Sequence, residues 1–567
     1  MCRNKTNNWC NRLFVILTVF LVSCQASAPT VVTKDVVVTQ IVEKIVEKVV
    51  EKVVVATEIP ASAAAVRPLS IAMVGKLEAF HPLNTACSYA CAEAKSLIYD
   101  TLFMVGPYDT IIPRLAESWD ISADAKTYTF HLRKGLKWSD GKPFSSKDVL
   151  MTFNLIANPD TKSWAPLFVN VIGAADVKDK KSTTVSGFTA PDADTFVVSL
   201  ETPDSEMLSN WIFPILYIMP EHIVGSKQPS ELLKDPWFLA PTSGMGPYKF
   251  VKWEPAQYLE VERNANYWRP VNIERVLYRE MDPNVAVAAL ISGEIDLMKP
   301  VQSDRRILDV TKDITVVSKA ESGVTMIIPF HESPPFDDVR VRQAFLHAID
   351  RQGLINTVFE GHGTIVNSHM RIAKYLPNDL IPYEYNPEKA KQLLKEANYD
   401  FKFEFKTTWN NKNKIRNQIG PIIAANLRAV GVNAVEAPGE GSLVLEEIGK
   451  RTYSHGIYIG GGIYTVGPGA IEQVMGCTHH YPGGENFAHN CNEEIDRLFL
   501  EAKNSTDEKV KMANYQQIAR LDNAAANYLW ILALDLNYAF SKRLKGFEAT
   551  SNPSDSLGNI SDWTLAP

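Results

Sequence analysis

Residues 386–435 read NPEKAKQLLKEANYDFKFEFKTTWNNKNKIRNQIGPIIAANLRAVGVNAV, and the spacing of their apolar residues changes period three times. Asn386-Pro387 is a helix start, with proline in the first helical position where its missing N–H costs nothing. Ala390, Leu393, Leu394 and Ala397 follow at helical spacing and predict one buried stripe. Phe401, Phe403 and Phe405 then alternate, the period of a half-buried strand. Ile415, Ile419, Ile422 and Ile423 return to helical spacing, and Gly431 stops that helix in the position glycine favours. Val432 to Val435 reads as the next strand. Helix, strand, helix, strand in this order predicts an α/β lobe spanning about residues 320–530.

Working outward, Asp337 or Asp338 caps a helix whose apolar residues Val341, Ala344, Phe345, Ala348 and Ile349 share one face. Near the other end, TYTFHLR (127–133) puts Tyr128, Phe130 and Leu132 on one side of a strand. Lys134-Gly135 and Ser139-Asp140-Gly141 are turns. Ser145-Ser146-Lys147-Asp148 is a capping box that opens a helix.

The 567-residue chain is 46% hydrophobic and 22% charged, an ordinary globular composition with a net charge of -7. It carries no Lys/Arg-rich run, which argues against a nucleic-acid partner. Its start is different in kind. Arg3, Lys5 and Arg12 precede LFVILTVFLV (13–22), ten residues without a charge. That run is too short to span a bilayer, which needs about 20 residues, but suits a secretory signal. It ends in Leu21-Val22-Ser23-Cys24, which resembles the bacterial lipobox and makes Cys24 the lipidated first residue of the mature chain. Loss of residues 1–23 removes three cations and no anion. Residues 24–66, with their Ile41-Val42-Glu43-Lys44 repeats, read as a stalk between the anchor and the globular part. A short coiled coil is the alternative for that segment.

Four cysteines remain beyond Cys24: Cys87, Cys91, Cys477 and Cys491. An even number in an exported chain suggests disulfides, most simply Cys87–Cys91 and Cys477–Cys491. His479, His480 and His489 lie between the latter two, and Cys with neutral His is also a zinc-ligand set. An extracellular zinc-dependent enzyme is therefore the competing reading from another class. The export compartment favours the disulfide, and no metal or cofactor is expected. No GxSxG, Walker A, HExxH or complete GxGxxG is present, so no catalytic residue is assigned.

Seven blocks lie in order between Leu115 and Ala390. They are Leu115-Ala116-Glu117-Ser118-Trp119; Tyr128 to Gly141 running into Phe144-Ser145-Ser146-Lys147-Asp148-Val149; Gly244-Met245-Gly246-Pro247-Tyr248; Glu262 to Trp268; Gly293-Glu294-Ile295-Asp296-Leu297; Phe336 to Ala344; and Tyr385 to Ala390. Together they resemble the family 5 extracellular solute-binding proteins of ABC importers, the oligopeptide- and dipeptide-binding type. The resemblance implies a two-lobed periplasmic-binding-protein fold (type II, cluster C), α/β throughout, with a subdomain inserted in lobe I. Lobe I would be 67–105, 239–318 and 531–567, the inserted subdomain 106–238, and lobe II 319–530. It also implies a monomer, held outside the cytoplasm by its lipid, that closes on a solute and delivers it to an ABC permease without changing it.

The family's peptide binders hold the ligand's amino group with an aspartate in a lobe-II loop. The matching stretch, Tyr458 to Gly469, has no acidic residue. The solute is thus expected to be a peptide held by some other acid, or an oligosaccharide stacked on aromatic rings. Trp409 and Asn410 follow the Phe401–Phe405 strand and are candidate ligand contacts, with a core tryptophan beside a loop amide as the equal alternative. Phe80, His81 and Asn84 follow the first lobe-I strand with the same ambiguity. Tyr464 is the last candidate, because the glycines beside it let a ligand approach the backbone.

Overall fold

One long strand, Leu529–Ser541 (LWILALDLNYAFS), belongs to two halves of the molecule. It is buried over 529–533 and 537–539 and half-buried at Leu534, Asp535 and Leu536 and again at Phe540 and Ser541. Its first half pairs antiparallel with Thr325–Pro329 and Gly363–Ile365. Its second half pairs antiparallel with Ile314–Ala320 and Leu297–Met298. The change of partners falls between Leu534, opposite Gly363, and Asp535, opposite Ala320. Ile314–Ala320 and Thr325–Pro329 are consecutive in the chain, so a second connection crosses beside the first. The half-buried middle of Leu529–Ser541 is therefore where the chain passes between lobes, outside either core.

The structure is a computed structural model that describes residues 67–73, 76–77, 80–83, 89–105, 110–163, 165–212, 216–411, 413–450, 456–461, 467–481, 485–552 and 556–566. The leader, Cys24, the stalk, Asn84, Cys87 and Tyr464 lie outside the described residues.

In the first lobe Leu69–Met73 lies parallel to both Arg275–Glu280 and Leu297–Met298. Tyr258–Arg263 and Tyr248–Glu254 extend that sheet antiparallel. Leu69, Ile71, Tyr248, Tyr278 and Trp563 fill its core. In the second lobe Glu404–Thr408 lies parallel to Asn433–Glu436 and Gly456–Gly461. Phe336, Phe345 and Phe405 pack edge to face there, with ring centroids 5.2–5.6 Å apart. Burying each such ring contributes about 1.5–3 kcal/mol.

The helices start where the sequence signals them. Asp338, not Asp337, caps Val339–Ala348 and accepts from the Arg340 N–H at 2.8 Å. Asn386 caps Pro387–Glu396, which buries Ala390, Leu393 and Leu394. The strand after it starts later than the alternating phenylalanines predict, at Glu404. Asp400 holds a turn in front of it, accepting from the Lys402 N–H at 2.9 Å while its carbonyl accepts from the Phe403 N–H. Phe401 is therefore exposed, Phe403 packs half-buried against the core and Phe405 is buried within it.

A separate antiparallel sheet orders Ala116–Ile121, Thr127–Leu132, Thr195–Ser199 and Phe188–Asp192. Tyr128, Phe130 and Leu132 are buried and their alternate neighbours half-exposed, as their period requires. Helix Ser146–Ala157 covers that face from the Ser145–Asp148 capping box. The Gly244-Met245-Gly246 turn joins this region to the first lobe. The Gly246 N–H donates to the Ile98 carbonyl at 2.8 Å. A Cβ at either glycine would overlap that carbonyl, so no larger residue fits.

Candidate functional site

The registers direct both lobes at the crossover. Met298 lies opposite Ala539 on the long strand, and the parallel strands Leu69–Met73 and Arg275–Glu280 end at the same level. Across the crossover, Thr325 pairs with both Leu532 and Gly461. Glu404–Thr408 runs parallel to Gly456–Gly461 and ends beside it. The carboxyl ends of parallel strands from each lobe thus face one seam, the place where α/β sheets bind ligands.

On the first-lobe side Glu93 is 2% exposed and gathers three donors. Lys299, just past the Leu297–Met298 strand, reaches it at 2.5 Å. The Tyr278 and Ser556 hydroxyls donate to it as well. Burial, with the Glu93 charge beside it, pushes the Tyr278 hydroxyl well above its ordinary pKa, so it stays a donor. On the second-lobe side the Arg416 guanidinium donates to the Tyr458 hydroxyl at 3.0 Å. Near the crossover, the Glu321 N–H donates to the Leu534 carbonyl at 2.8 Å. Burial pushes the Glu321 carboxyl up to about 7, against the opposing pull of Arg371.

A second junction lies away from the crossover, between the four-stranded region and the second lobe. The Tyr128 hydroxyl donates to the Asp204 carbonyl at 2.5 Å and anchors the segment 204–206 to its own sheet. The Ser205 N–H donates to the Lys503 carbonyl at 2.8 Å. Glu206, 3% exposed, forms an ion pair with Lys511. Lys503 pairs with Glu472 at 2.8 Å. Burial pushes the Asp204 carboxyl up to about 6, although the Lys503 ammonium pulls the other way. The seam is thus held by paired strands at one place and by a buried ionic cluster at another.

The sequence candidates divide. Phe80 is fully buried against Phe250 and Trp253. His81 is 4% exposed and stacks on Phe238. Its Nε2–H donates to the Leu232 carbonyl at 2.8 Å and its Nδ1 accepts from the Leu83 N–H at 3.0 Å. Burial lowers its pKa to about 4, which keeps that neutral tautomer. Trp409 is 3% exposed, donates to Asn417 Oδ1 at 2.9 Å, and lies flat on Gly420. These three rings are packed within the lobes. Asn410, half-buried at the carboxyl end of Glu404–Thr408, stands at the seam.

The carboxylates and ammoniums at the seam were not among the sequence candidates. Lys511 had a readable signal: with Tyr515, Ile518, Ala519 and Asp522 it continues the buried stripe of helix Glu508–Ala525. A lysine on an apolar stripe needs a buried partner. Nothing local identifies that partner as Glu206.

A pocket partly open to solvent lies elsewhere, lined by Tyr99, Asp100, Arg114, Trp211, Tyr217 and Tyr267 among others. Its carboxylate is already committed. Asp100 accepts from Arg114 at 2.9 Å, Trp268 at 3.1 Å and the Thr101 N–H at 2.8 Å. That arrangement is a structural network, and the seam is the better candidate for binding.

Comparison with known proteins agrees in fold and extent. Residues 110–481 match the family model described as bacterial extracellular solute-binding proteins, family 5 middle. A putative ABC transporter peptide-binding protein of Brucella ovis is 29% identical over 460 residues, covering 79% of this chain and 83% of that protein. The solved structure of the oligopeptide-binding protein AppA of Bacillus subtilis, in complex with a nonapeptide, superposes with a TM-score of 0.71 at 23% identity. It covers 88% of this chain and all of that one. A putative peptide-binding protein AppA of Clostridium difficile superposes with a TM-score of 0.78 at 20% identity, covering 88% of this chain and all of that one.

Proposed function

The chain belongs to the bacterial extracellular solute-binding proteins of family 5, and from that premise we propose that it captures a peptide at the seam and hands it to an ABC permease. One observation carries the reading: the carboxyl ends of parallel strands from both lobes converge on the crossover pair. A solute held there touches both rigid halves only when they are together. Binding therefore shifts a hinge equilibrium toward the closed form. The hinge lies where Ala320 and Asp535 pair and the long strand changes partners.

The peptide assignment is supported by the names of the related proteins above. Glu321 is an acid near the seam in place of the aspartate that the Tyr458–Gly469 stretch lacks, whereas Glu93 is committed to Lys299, Tyr278 and Ser556. The domain division is ours as well: lobe I at 67–105, 239–318 and 531–567, the inserted subdomain at 106–238, and lobe II at 319–530. The separate cores support it in outline, although Ile531 and Leu532 pack in the lobe-II core and Leu102, Phe103 and Met245 pack with the inserted subdomain. Asn410, with Asn84 and Tyr464, forms the proposed contact set, while Phe80, His81 and Trp409 brace it from within. A cleaved leader, lipid on Cys24 and a stalk to residue 66 would hold the monomer at the outer face of a membrane, within reach of its permease.

The experiment is a thermal-shift screen of di- to nonapeptides and oligosaccharides, joined to mass spectrometry of whatever co-purifies. A ligand present at concentration [L] raises stability by RT ln(1 + [L]/Kd), about 2.7 kcal/mol at 100 Kd. Stabilisation by peptides, recovered intact, is the expected result. Stabilisation by sugars alone, or recovery of a cleaved peptide, would remove the assignment.

A further inference from the structure

We propose that Glu332, His480 and His489 form a binding site for a divalent transition-metal ion of the zinc class, on the second lobe away from the seam. Their donor atoms lie within 4.8 Å of one another. Two segments bring them together. Glu332 follows Thr325–Pro329 at its far end, where Pro329 pairs with Ile457 rather than with the crossover strand. His480 and His489 belong to the loop between helices Pro468–Met475 and Glu493–Lys503, which the Cys477–Cys491 disulfide closes. The His331 N–H donates to the Ala488 carbonyl at 3.0 Å and fixes one segment to the other.

The hydrogen bonds assign the imidazole protons. His489 Nε2 lies 2.9 Å from the Tyr481 carbonyl, and a carbonyl can only accept, so that nitrogen carries the proton. His480 Nε2 lies 3.3 Å from the Asn490 carbonyl and is held in the same sense. Each ring thus gives its outer N–H to a backbone carbonyl of its own loop and keeps Nδ1 as a lone-pair donor. Backbone carbonyls hold metal-ligating histidines in this way. Asn486 ties the described parts of the loop together, donating to the Gly476 and Asn490 carbonyls at 3.1 and 2.8 Å. His489 itself sits at φ 52, a left-handed conformation that histidine tolerates better than most residues.

The spacing suits a metal. His489 Nδ1 faces Glu332 Oε2 at 3.4 Å, with the imidazole side chain wholly buried. A lone pair and a carboxylate oxygen at that separation repel unless a positive charge lies between them. Zinc bonds of about 2.0–2.1 Å to nitrogen and oxygen, set at the tetrahedral angle, give a ligand–ligand edge of about 3.4 Å. The His480 ring stacks on His489 with centroids 4.7 Å apart and planes 11° from parallel. Half-buried His480 would tilt to complete the set, while His489 stays fixed. Two imidazoles and one carboxylate select zinc, copper or nickel over magnesium and calcium, which prefer all-oxygen sites. The disulfide takes both cysteines of the loop out of the ligand set, so the site differs from a Cys/His zinc cluster. Its role would be to pin the loop to Glu332 as a structural clamp.

The test is calorimetric titration of the oxidised, tag-free exported protein with zinc chloride at pH 7.5, after chelation and desalting, with magnesium chloride as the comparison. The expected result is one zinc per chain, no magnesium binding, and a higher Tm with zinc. Glu332→Gln and His480→Gln should each weaken zinc at least tenfold while leaving the Tm of the metal-free protein unchanged, since both side chains are at least partly exposed. His489→Gln is the less useful variant, because the buried ring also packs against Phe330. Absence of stoichiometric zinc in the wild-type protein overturns the proposal, a proton on His489 then being the charge that faces Glu332. Zinc bound equally by wild type and both variants overturns it too. Neither outcome bears on the peptide reading, because the site lies off the seam.

Discussion

Replacing Lys511 with Met should open the two lobes rather than unfold either of them. Glu206 is 3% exposed and the Lys511 side chain 11% exposed, so their ion pair is a buried one. Removing one partner of such a pair leaves an uncompensated charge and costs about 3–5 kcal/mol. Here the cost has an escape route. Glu206 lies on the segment that meets the second lobe, so separating the lobes returns its carboxylate to water. At about 1.4 kcal/mol per tenfold, the closed-to-open ratio should fall by roughly two to three and a half orders of magnitude. A solute that requires closure loses apparent affinity by up to the same factor. Small-angle scattering reads the opening as a larger radius of gyration. Hydrogen exchange reads it locally at the Ser205 amide, which donates to the Lys503 carbonyl across the junction. The double variant Glu206→Leu/Lys511→Met removes both charges and should recover closure. A Lys511→Met protein with native scattering and a protected Ser205 amide, but a Tm lowered by the whole amount, would refute the reasoning and make the contact static packing.

The same junction should respond to pH. Burial at the junction raises the Asp204 carboxyl to about 6, above the ordinary carboxylate range. The closed form therefore binds the extra proton between that range and about 6, closure is favoured by acid, and the advantage is lost as pH rises through about 6. At about 1.36 kcal/mol per unit the swing is at most roughly 3 kcal/mol. Scattering of the solute-free protein should show more closed molecules at pH 5 than at pH 7.5, and Asp204→Asn should flatten the difference. Cys477→Ser/Cys491→Ser opens a loop of sequence separation 14 and should cost about 3 kcal/mol in urea denaturation of the second lobe. A loss below 1 kcal/mol would mean the loop is held by its other contacts. Arg114→Met strands Asp100, which is 2% exposed and paired to it at 2.9 Å. It should lower stability by about 3–5 kcal/mol with solute affinity unchanged. An equal loss of affinity would place that cavity, not the seam, at the centre of function.

Local chemistry made most of the fold legible. The capping box at Ser145, the proline after Asn386, Gly431 and the alternation in Thr127–Leu132 are signals within a few residues, and the structure uses each of them. The late start of Glu404–Thr408 is the useful exception. Phe401 and Phe403 have the right period, but Asp400 turns the chain before they can pair. What the sequence hides is separation. Ala320 meets Asp535 across more than two hundred residues, and Glu206 meets Lys511 across three hundred. No periodicity encodes such pairs. The same limit governs the site: Trp409 is equally a stacking platform or a core ring by sequence, and only its contact with Gly420 and Asn417 places it in the core. Resemblance to a family supplied the discontinuous first lobe that pattern alone did not.

If the lobes hinge as proposed, charge at the junction keeps the empty protein from closing on nothing. An apolar contact would favour the closed state by about 25 cal/mol for every Å² it buried, with or without solute. A few hundred Å² would then lock the empty protein shut. Asp204, Glu206, Glu472, Lys503 and Lys511 behave differently, because the desolvation of buried ions offsets most of their attraction. Their pairing rejects misaligned closures, which would strand a charge, while adding little net stability to the aligned one. Closure then falls to the solute, which must supply the difference in binding between the two states. A ligand that contacts only one lobe supplies none, however tightly it binds. The convergence of strand ends from both lobes on one seam matters for that reason: it is the place where a guest's contacts with one half depend on the position of the other.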